Sequence, residues 1–394
     1  MVTARLTARD LNRATLARQG LIEPIRTAPA KAVERVGSLQ AQHPEWPPVA
    51  LAARAASASA ANLAGALERR TVVRSSLMRR TIHVVTAEDL WPMFAVCEPM
   101  RIDGWRQLTK ADPASSPLGR KLHAAHATVI SALREEPMSS LDIDRLLAAE
   151  AGIETDVVTR PAWRAPETRV VARTAWRHFS AYVPLVHVPF DGERYGRSRY
   201  ALAEDWLGTE RPELDPAEAR VRLARRYLGA FGPASIDDLA AYVGRGRGGI
   251  GIWKEAVAAL GDEVITLSAD DGRTLFDLAN APRPPADTPV PPRLLARWDS
   301  ALLSHEAKRR QRILADRDRD RVFSKNADVL PTILLDGFVA GTWELRRPDG
   351  GVEIRVRAFR RLARGDEGGI EAAAREMAER LAPGRSDITV TFER

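Results

Sequence analysis

Residues 39–48 read LQAQHPEWPP, and what this stretch can and cannot form sets the organisation around it. Just upstream, Val33, Val36 and Leu39 recur at helical spacing with Lys31, Glu34 and Arg35 among them. This predicts a helix over residues 30–39 that ends near Gly37–Leu39. Pro44, Pro47 and Pro48 each fix φ and remove a donor, which predicts no regular helix through them. In an extended segment Gln40 and Gln42 leave the same side of the backbone. An amide carries a donor and an acceptor but no titratable proton, so such a pair can hold a water or a base edge and cannot act as a carboxylate base. The plainer alternative is a polar helix end whose amides are satisfied locally.

Working outward, residues 7–18 form a helix opened by Thr7, and 49–56 and 60–69 read as short helices. Residues 72–75 and 81–85 read as strands on either side of Met78-Arg79-Arg80. Thr86, three residues before Asp89, caps the helix that follows. Helices followed by paired strands is the order of a winged helix. The order recurs with helices over 118–134, 139–150 and 166–179 and strands over 182–188 and 199–202, bridged by the turn-rich residues 190–197. It recurs again with helices over 216–231, 235–243 and 251–260, then strands 264–267 and 274–278 across Asp270-Asp271-Gly272. The expected fold is α+β and mainly helical. It has three tandem winged-helix units, residues 1–115, 116–212 and 213–280, plus a C-terminal α+β region, 281–394, introduced by the proline-rich NAPRPPADTPVPP (280–292).

Composition narrows the function. The 394 residues are 45% hydrophobic and 28% charged with mixed signs, which describes a folded chain of several domains. The net charge is +7, carried mostly by arginine, the residue suited to bidentate phosphate recognition. One cysteine, Cys97, excludes an intrachain disulfide framework and a cysteine metal cluster; among seven histidines only His123 and His126 lie close together. No metal or other cofactor is expected. The chain has no apolar run of membrane-spanning length and no signal pattern, so a cytoplasmic monomer is expected.

A third helix in each winged unit is the element that enters a groove. In the second unit it carries Arg169, Arg173 and Arg177 at i, i+4 and i+8, a stripe suited to phosphates or, alternatively, a solvated basic face. Lys308, Arg309 and Arg310 head the densest basic run, residues 305–321. Arg79 and Arg80, between the first pair of strands, are further candidates for DNA contact.

The stretches LQAQHPEWPP, SSLMRRTIHVVTAEDL (75–90), LLARWDSALLSHEAKRRQRI (294–313) and VLPTILLDGFVAGTW (329–343) resemble the winged-helix DNA glycosylases of the AlkZ/YcaQ superfamily. Gln40-Ala41-Gln42 is similar to the Gln-Φ-Gln pattern of the AlkZ-like branch; the YcaQ-like branch has Asp at the second position. The resemblance implies a concave DNA cradle, double-stranded DNA carrying bulky or cross-linked alkylated purines as substrate, and Gln40 and Gln42 as catalytic residues. It also implies, in antibiotic producers, self-resistance to DNA-alkylating natural products. His43, Thr81 and His83 are added as DNA contacts through their nearness in sequence or on a neighbouring strand. The chemistry is consistent with amides. An N7-alkylguanine is already cationic before it leaves, so the site need only hold a water and stabilise an oxocarbenium-like sugar, without a lysine nucleophile or lyase step. Two rivals remain: a non-catalytic tandem winged-helix DNA-binding or regulatory protein, and a resistance protein that sequesters a small molecule.

Overall fold

Thr7 opens the first helix, Ala8–Arg18, by a reciprocal box: its hydroxyl accepts from the Asp10 amide, and the Asp10 carboxylate accepts from the Thr7 amide. Helix Pro29–Val36 then stops at Gly37, whose φ of 84° suits a residue without Cβ, and the chain straightens into β1, Leu39–Gln40. The helix is therefore shorter than its apolar spacing suggests, because Leu39 joins a sheet. The prolines behave differently from expectation. Helix Trp46–Ala52 starts among them, with Pro47 and Pro48 in its first turn, where a missing N–H costs nothing. The computed structural model describes residues 5–56, 59–153, 174–188, 198–244, 249–324, 328–346, 352–382, 384 and 387–393. Arg169, Arg173, the first half of the expected helix 166–179 and the turn 190–197 lie outside the described residues.

The fold mixes helices with sheets. Strands β2 (Val72–Ser76) and β3 (Ile82–Thr86) form an antiparallel hairpin, and β1 adds to its edge with Leu39 opposite Val84 and Gln40 opposite His83. Thr86 accepts from the Asp89 amide and so starts helix Ala87–Thr109 as its sequence predicts. Strands β4 (Met138–Ser139), β5 (Leu185–Val188) and β6 (Arg199–Leu202) continue the same sheet, ordered β1-β3-β2-β5-β6-β4. The join runs through Ser75, which faces Val186 and donates its hydroxyl to the Leu185 carbonyl at 2.7 Å. Strands β7 (Val264–Ser268) and β8 (Thr274–Leu278) pair antiparallel, as expected from the turn residues between them. Beyond them, β9 (Arg293–Leu295), β10 (Thr332–Leu335), β11 (Phe338–Arg346), β12 (Val352–Ala358) and β13 (Ile388–Glu393) form a second sheet, ordered β13-β12-β11-β10-β9.

Burial ties distant parts of the chain together. Leu16, Val33, Leu39 and Val49 share one core with Leu294, Ile333, Trp343 and Ile354, so the N-terminal helices pack on the C-terminal sheet. The hairpin residues Val73 and Val85 share another core with Phe94, Tyr227, Tyr242 and Trp253 of later helices. Two fully buried ion pairs cross the same interfaces: Arg18 with Asp277 and Arg54 with Asp299. Such pairs do little for net stability as pairs, but each fixes one docking geometry because neither charge tolerates a slipped partner.

Candidate active site

The hairpin turn between β2 and β3 is built from residues that do not favour it. Arg79 (φ 53°) and Arg80 (φ 59°) both occupy the left-handed region, which costs side-chain-bearing residues about 1–3 kcal/mol each. The turn is over-determined by its surroundings. Leu77 N–H donates to Thr81 O at 2.9 Å, Arg80 N–H to Leu77 O at 3.1 Å, and Thr81 N–H to Met78 O at 3.1 Å. A Cβ on Gly244, at the end of helix Ile236–Val243, would lie 3.0 Å from the Arg79 Cα, so that helix end closes over the turn.

This strained turn aims Arg79 at Gln40. Nη2 of Arg79 donates to Gln40 Oε1 at 3.1 Å and lies 3.3 Å from His83 Nε2, while Nη1 donates to the Tyr242 carbonyl. Arg79 also stacks over the Tyr242 ring at 5.2 Å, and the Tyr242 hydroxyl meets Ser38 Oγ at 2.8 Å, just before β1. A guanidinium only donates, so the end of the Gln40 amide facing it is the oxygen. His83 Nδ1 lies 3.0 Å from the Thr81 carbonyl, which only accepts. Its proton therefore sits on Nδ1, and Nε2 is left to accept from Arg79.

Gln42 is fixed by another route. Ala41 N–H donates to Ile82 O at 2.7 Å; one residue on, Ile82 N–H donates to the Gln42 side-chain oxygen at 3.3 Å. The side-chain amide thus replaces the main-chain carbonyl that β1 would supply if it continued. Arg74 Nε holds the Ala41 carbonyl between the two glutamines at 3.2 Å. Both amide oxygens accept one bond inside the protein and keep a second lone pair.

Gln42 stands on the wall of a cavity of about 560 Å³ that also takes in Arg74, Arg80, Arg101, Trp176 and Tyr200. Among its described lining residues are five arginines and no Asp or Glu. Arg101 sits over the Phe94 ring at 4.0 Å and donates to the Ser76 carbonyl; burial lowers its pKa to about 10, still cationic at neutral pH. Among its described lining the cavity is positive and aromatic-walled, with the Gln42 amide rather than a carboxylate at its edge. Neither Arg101 nor Tyr242 carried a sequence signal, because each is one apolar-helix residue among many until the fold brings it to the hairpin.

Buried histidines give this arrangement an acid limit. Burial, with Arg79 as a second cause, lowers His83 from its ordinary 6.5 to about 3, and burial does the same to His126 and His305. Folded-state values below the unfolded one mean that the unfolded chain takes up protons first as pH falls. Stability is therefore retained above pH 6.5 and declines progressively toward about pH 3. Urea midpoints taken from pH 7.5 down to pH 5 should fall; a flat or rising series would contradict this.

A family profile described as DNA glycosylase AlkZ-like matches residues 33–380, which takes in the glutamine pair, the hairpin and the C-terminal sheet up to β12. The chain belongs to the AlkZ-like DNA glycosylase family. The structure is similar to that of the Streptomyces sahachiroi DNA glycosylase AlkZ, with a TM-score of 0.76 at 19% identity, covering 99% of this chain and 100% of that one. At that identity the likeness concerns the fold. A curated relative, the interstrand DNA cross-link repair glycosylase of Streptomyces sahachiroi, is 27% identical over 164 residues; the match spans 41% of this chain and 43% of that protein.

For an AlkZ-like chain the cations at the surface are the natural candidates for duplex contact, and the expected ones separate into groups. Arg80 is exposed and runs along helix Ala87–Thr109 at Gly104, where an added Cβ would lie 2.3 Å from Nη1. Arg177 is exposed on helix Thr174–Tyr182 and borders the same cavity as Gln42. Lys308 is exposed, while Arg309 pairs with Asp271 at 3.4 Å; both border a different hollow beside β7 and β8. Arg310 is half-buried over the Phe323 ring at 4.3 Å, its pKa lowered to about 10 by burial and by the charges of Arg319 and Arg79. His43 stacks on Trp298 at 4.9 Å and lies 3.3 Å from Glu45. Thr81 turns its hydroxyl to the Met78 carbonyl.

His83 does not sit where a DNA contact must. It is fully buried in a strand whose edges are paired by β1 and β2 and which is packed by helices Pro29–Val36 and Ala87–Thr109. Arg79 likewise gives its Nη protons to interior acceptors, and burial lowers its pKa. Arg79 thus meets Gln40 and His83 inside the protein.

Proposed function

We propose that this protein is a monofunctional DNA glycosylase that hydrolyses the N-glycosidic bond of bulky or cross-linked N7-alkylated purines in duplex DNA. The duplex lies in a concave cradle of three tandem winged-helix units, residues 1–115, 116–212 and 213–280, with residues 281–394 buttressing the first. Gln40 and Gln42 are the catalytic residues. The observation that carries this reading is the pair of amides, each held by its oxygen, beside an arginine-rich cavity in a chain of a glycosylase family.

The chemistry follows from the leaving group. N7-alkylguanine departs as a neutral base from a cationic one, so no acid is needed at the base. Charge develops on the sugar, and a water must reach C1′. The free lone pair of Gln42 Oε1 accepts a hydrogen bond from that water and aims its oxygen, and the proton the water loses on attack at C1′ passes to solvent. Neutral amide dipoles stabilise the sugar cation without the cost of holding a carboxylate beside phosphates. The exposed arginines at the cavity, Arg80 and Arg177, hold the flanking phosphates. In a producer of a DNA-alkylating natural product this activity serves self-resistance.

A duplex with a single N7-alkylguanine, incubated with the protein and then treated with alkali, should break at an abasic site. Intact duplex with binding retained would favour the non-catalytic DNA-binding reading instead. Arg177→Ala should weaken binding to all duplex sequences alike and reduce the slope of log affinity against log salt by about one. An unchanged affinity and slope would remove Arg177 from the DNA track.

A further inference from the structure

Arg79 is the least expected member of the site. It occupies a strained backbone conformation and is closed over by Gly244. Its Nη groups serve Gln40, His83 and the Tyr242 carbonyl at once. A surface arginine meant for phosphate would keep its fork free. Here one Nη2 proton goes to the Gln40 oxygen and the other to His83 Nε2, so the guanidinium is locked from two directions. His83 in turn is locked by Thr81, its neighbour in the same turn. The free end of Gln40 is Nε2, which has no protein partner among the described residues, and Gln40 retains 8% exposure.

We infer that Arg79 is a positioning residue for base excision, fixing the Gln40 amide with its oxygen inward and its nitrogen toward the DNA. The inference rests on the proposed glycosylase reading and divides the labour of the two glutamines. Gln40 is the hydrogen-bond donor, holding the oxygen of the attacking water or an acceptor on the lesion. Gln42, at the cavity wall with a lone pair to spare, accepts the water's hydrogen bond. Without Arg79 the Gln40 amide can flip, and donor and acceptor exchange places. The tie to Tyr242 also makes the geometry at Gln40 depend on a helix far along the chain, Ile236–Val243.

The test uses the full-length protein and a duplex carrying one N7-methylguanine, with single-turnover rates and duplex affinity measured separately. Arg79→Met should slow excision about 10- to 100-fold with affinity little changed, as for a misplaced reacting group. Arg79→Lys, which still donates to Gln40 Oε1, should recover part of that loss; a purely structural role would not follow the donor. Gln40→Glu keeps two acceptors for Arg79 but has no N–H, so it should be as slow as Gln40→Ala. A wild-type rate in either Arg79→Met or Gln40→Glu overturns the inference. If Arg79→Met does not fold, Gln40→Glu decides alone. Full activity in Gln40→Ala, Gln42→Ala would remove the glutamine reading itself. Inactivity of that double variant beside a normal Arg79→Met would remove only the role given to Arg79.

Discussion

Gln42→Ala is expected to lower the single-turnover excision rate by about two orders of magnitude or more, the scale for loss of one preorganised polar contact in a transition state. Gln42 is held by Ile82 N–H where β1 ends, so its oxygen is placed before substrate arrives and no reorganisation is needed at the moment of reaction. Duplex affinity should change little, because a neutral amide releases no counterion whereas the neighbouring arginines do. Folding should also survive: the side chain is only half-buried, and the Ile82 amide it leaves lies at a strand end that water can reach. Gln42→Asp is the informative companion. A carboxylate can hold the water and stabilise the sugar cation, so it should retain part of the rate. Loss of affinity in step with loss of rate would show that Gln42 binds DNA rather than assisting hydrolysis.

Asp277→Ala should destabilise the fold by about 3–5 kcal/mol, the cost of leaving a buried charge without its partner. Asp277 has no exposed surface and takes Arg18 through two bonds, at 2.6 and 2.8 Å, with Arg283 at 2.6 Å. Its loss strands the Arg18 cation in the interior between the first helix and β8. Arg18→Met with Asp277→Leu, which removes both charges and keeps volume, should be markedly less damaging than Asp277→Ala. Urea unfolding measures both. Equal losses in the single and double variants would mean that the packing, and not the stranded charge, sets the cost.

Much of the local structure is legible because it depends on near neighbours. Thr7 and Thr86 cap the helices they are expected to open, and the strands around Asp270-Asp271-Gly272 pair. The extended start of the glutamine segment, Leu39–Gln40, is legible as well, and Gln40 is the more buried of the two glutamines. What escapes the sequence depends on distant contacts. Two successive arginines in the left-handed region carry no glycine signal, so the turn that turns Arg79 inward looks like an exposed basic tip. His83 reads as a half-exposed strand residue because nothing nearby reveals which helices will pack against its strand. The packing of Leu16, Val33 and Val49 onto the last sheet goes with buried pairs such as Arg54 with Asp299, whose partners are far apart in sequence.

The most direct test of the catalytic assignment compares the wild-type protein with the Gln40→Ala, Gln42→Ala variant, enzyme in excess over a duplex bearing one N7-methylguanine. Abasic sites are quantified against time, with duplex affinity and thermal unfolding measured on the same samples. Abasic product is expected from the wild type and at least about a hundredfold slower product from the variant, at matched affinity and stability. Wild-type excision by the double variant would contradict the catalytic assignment.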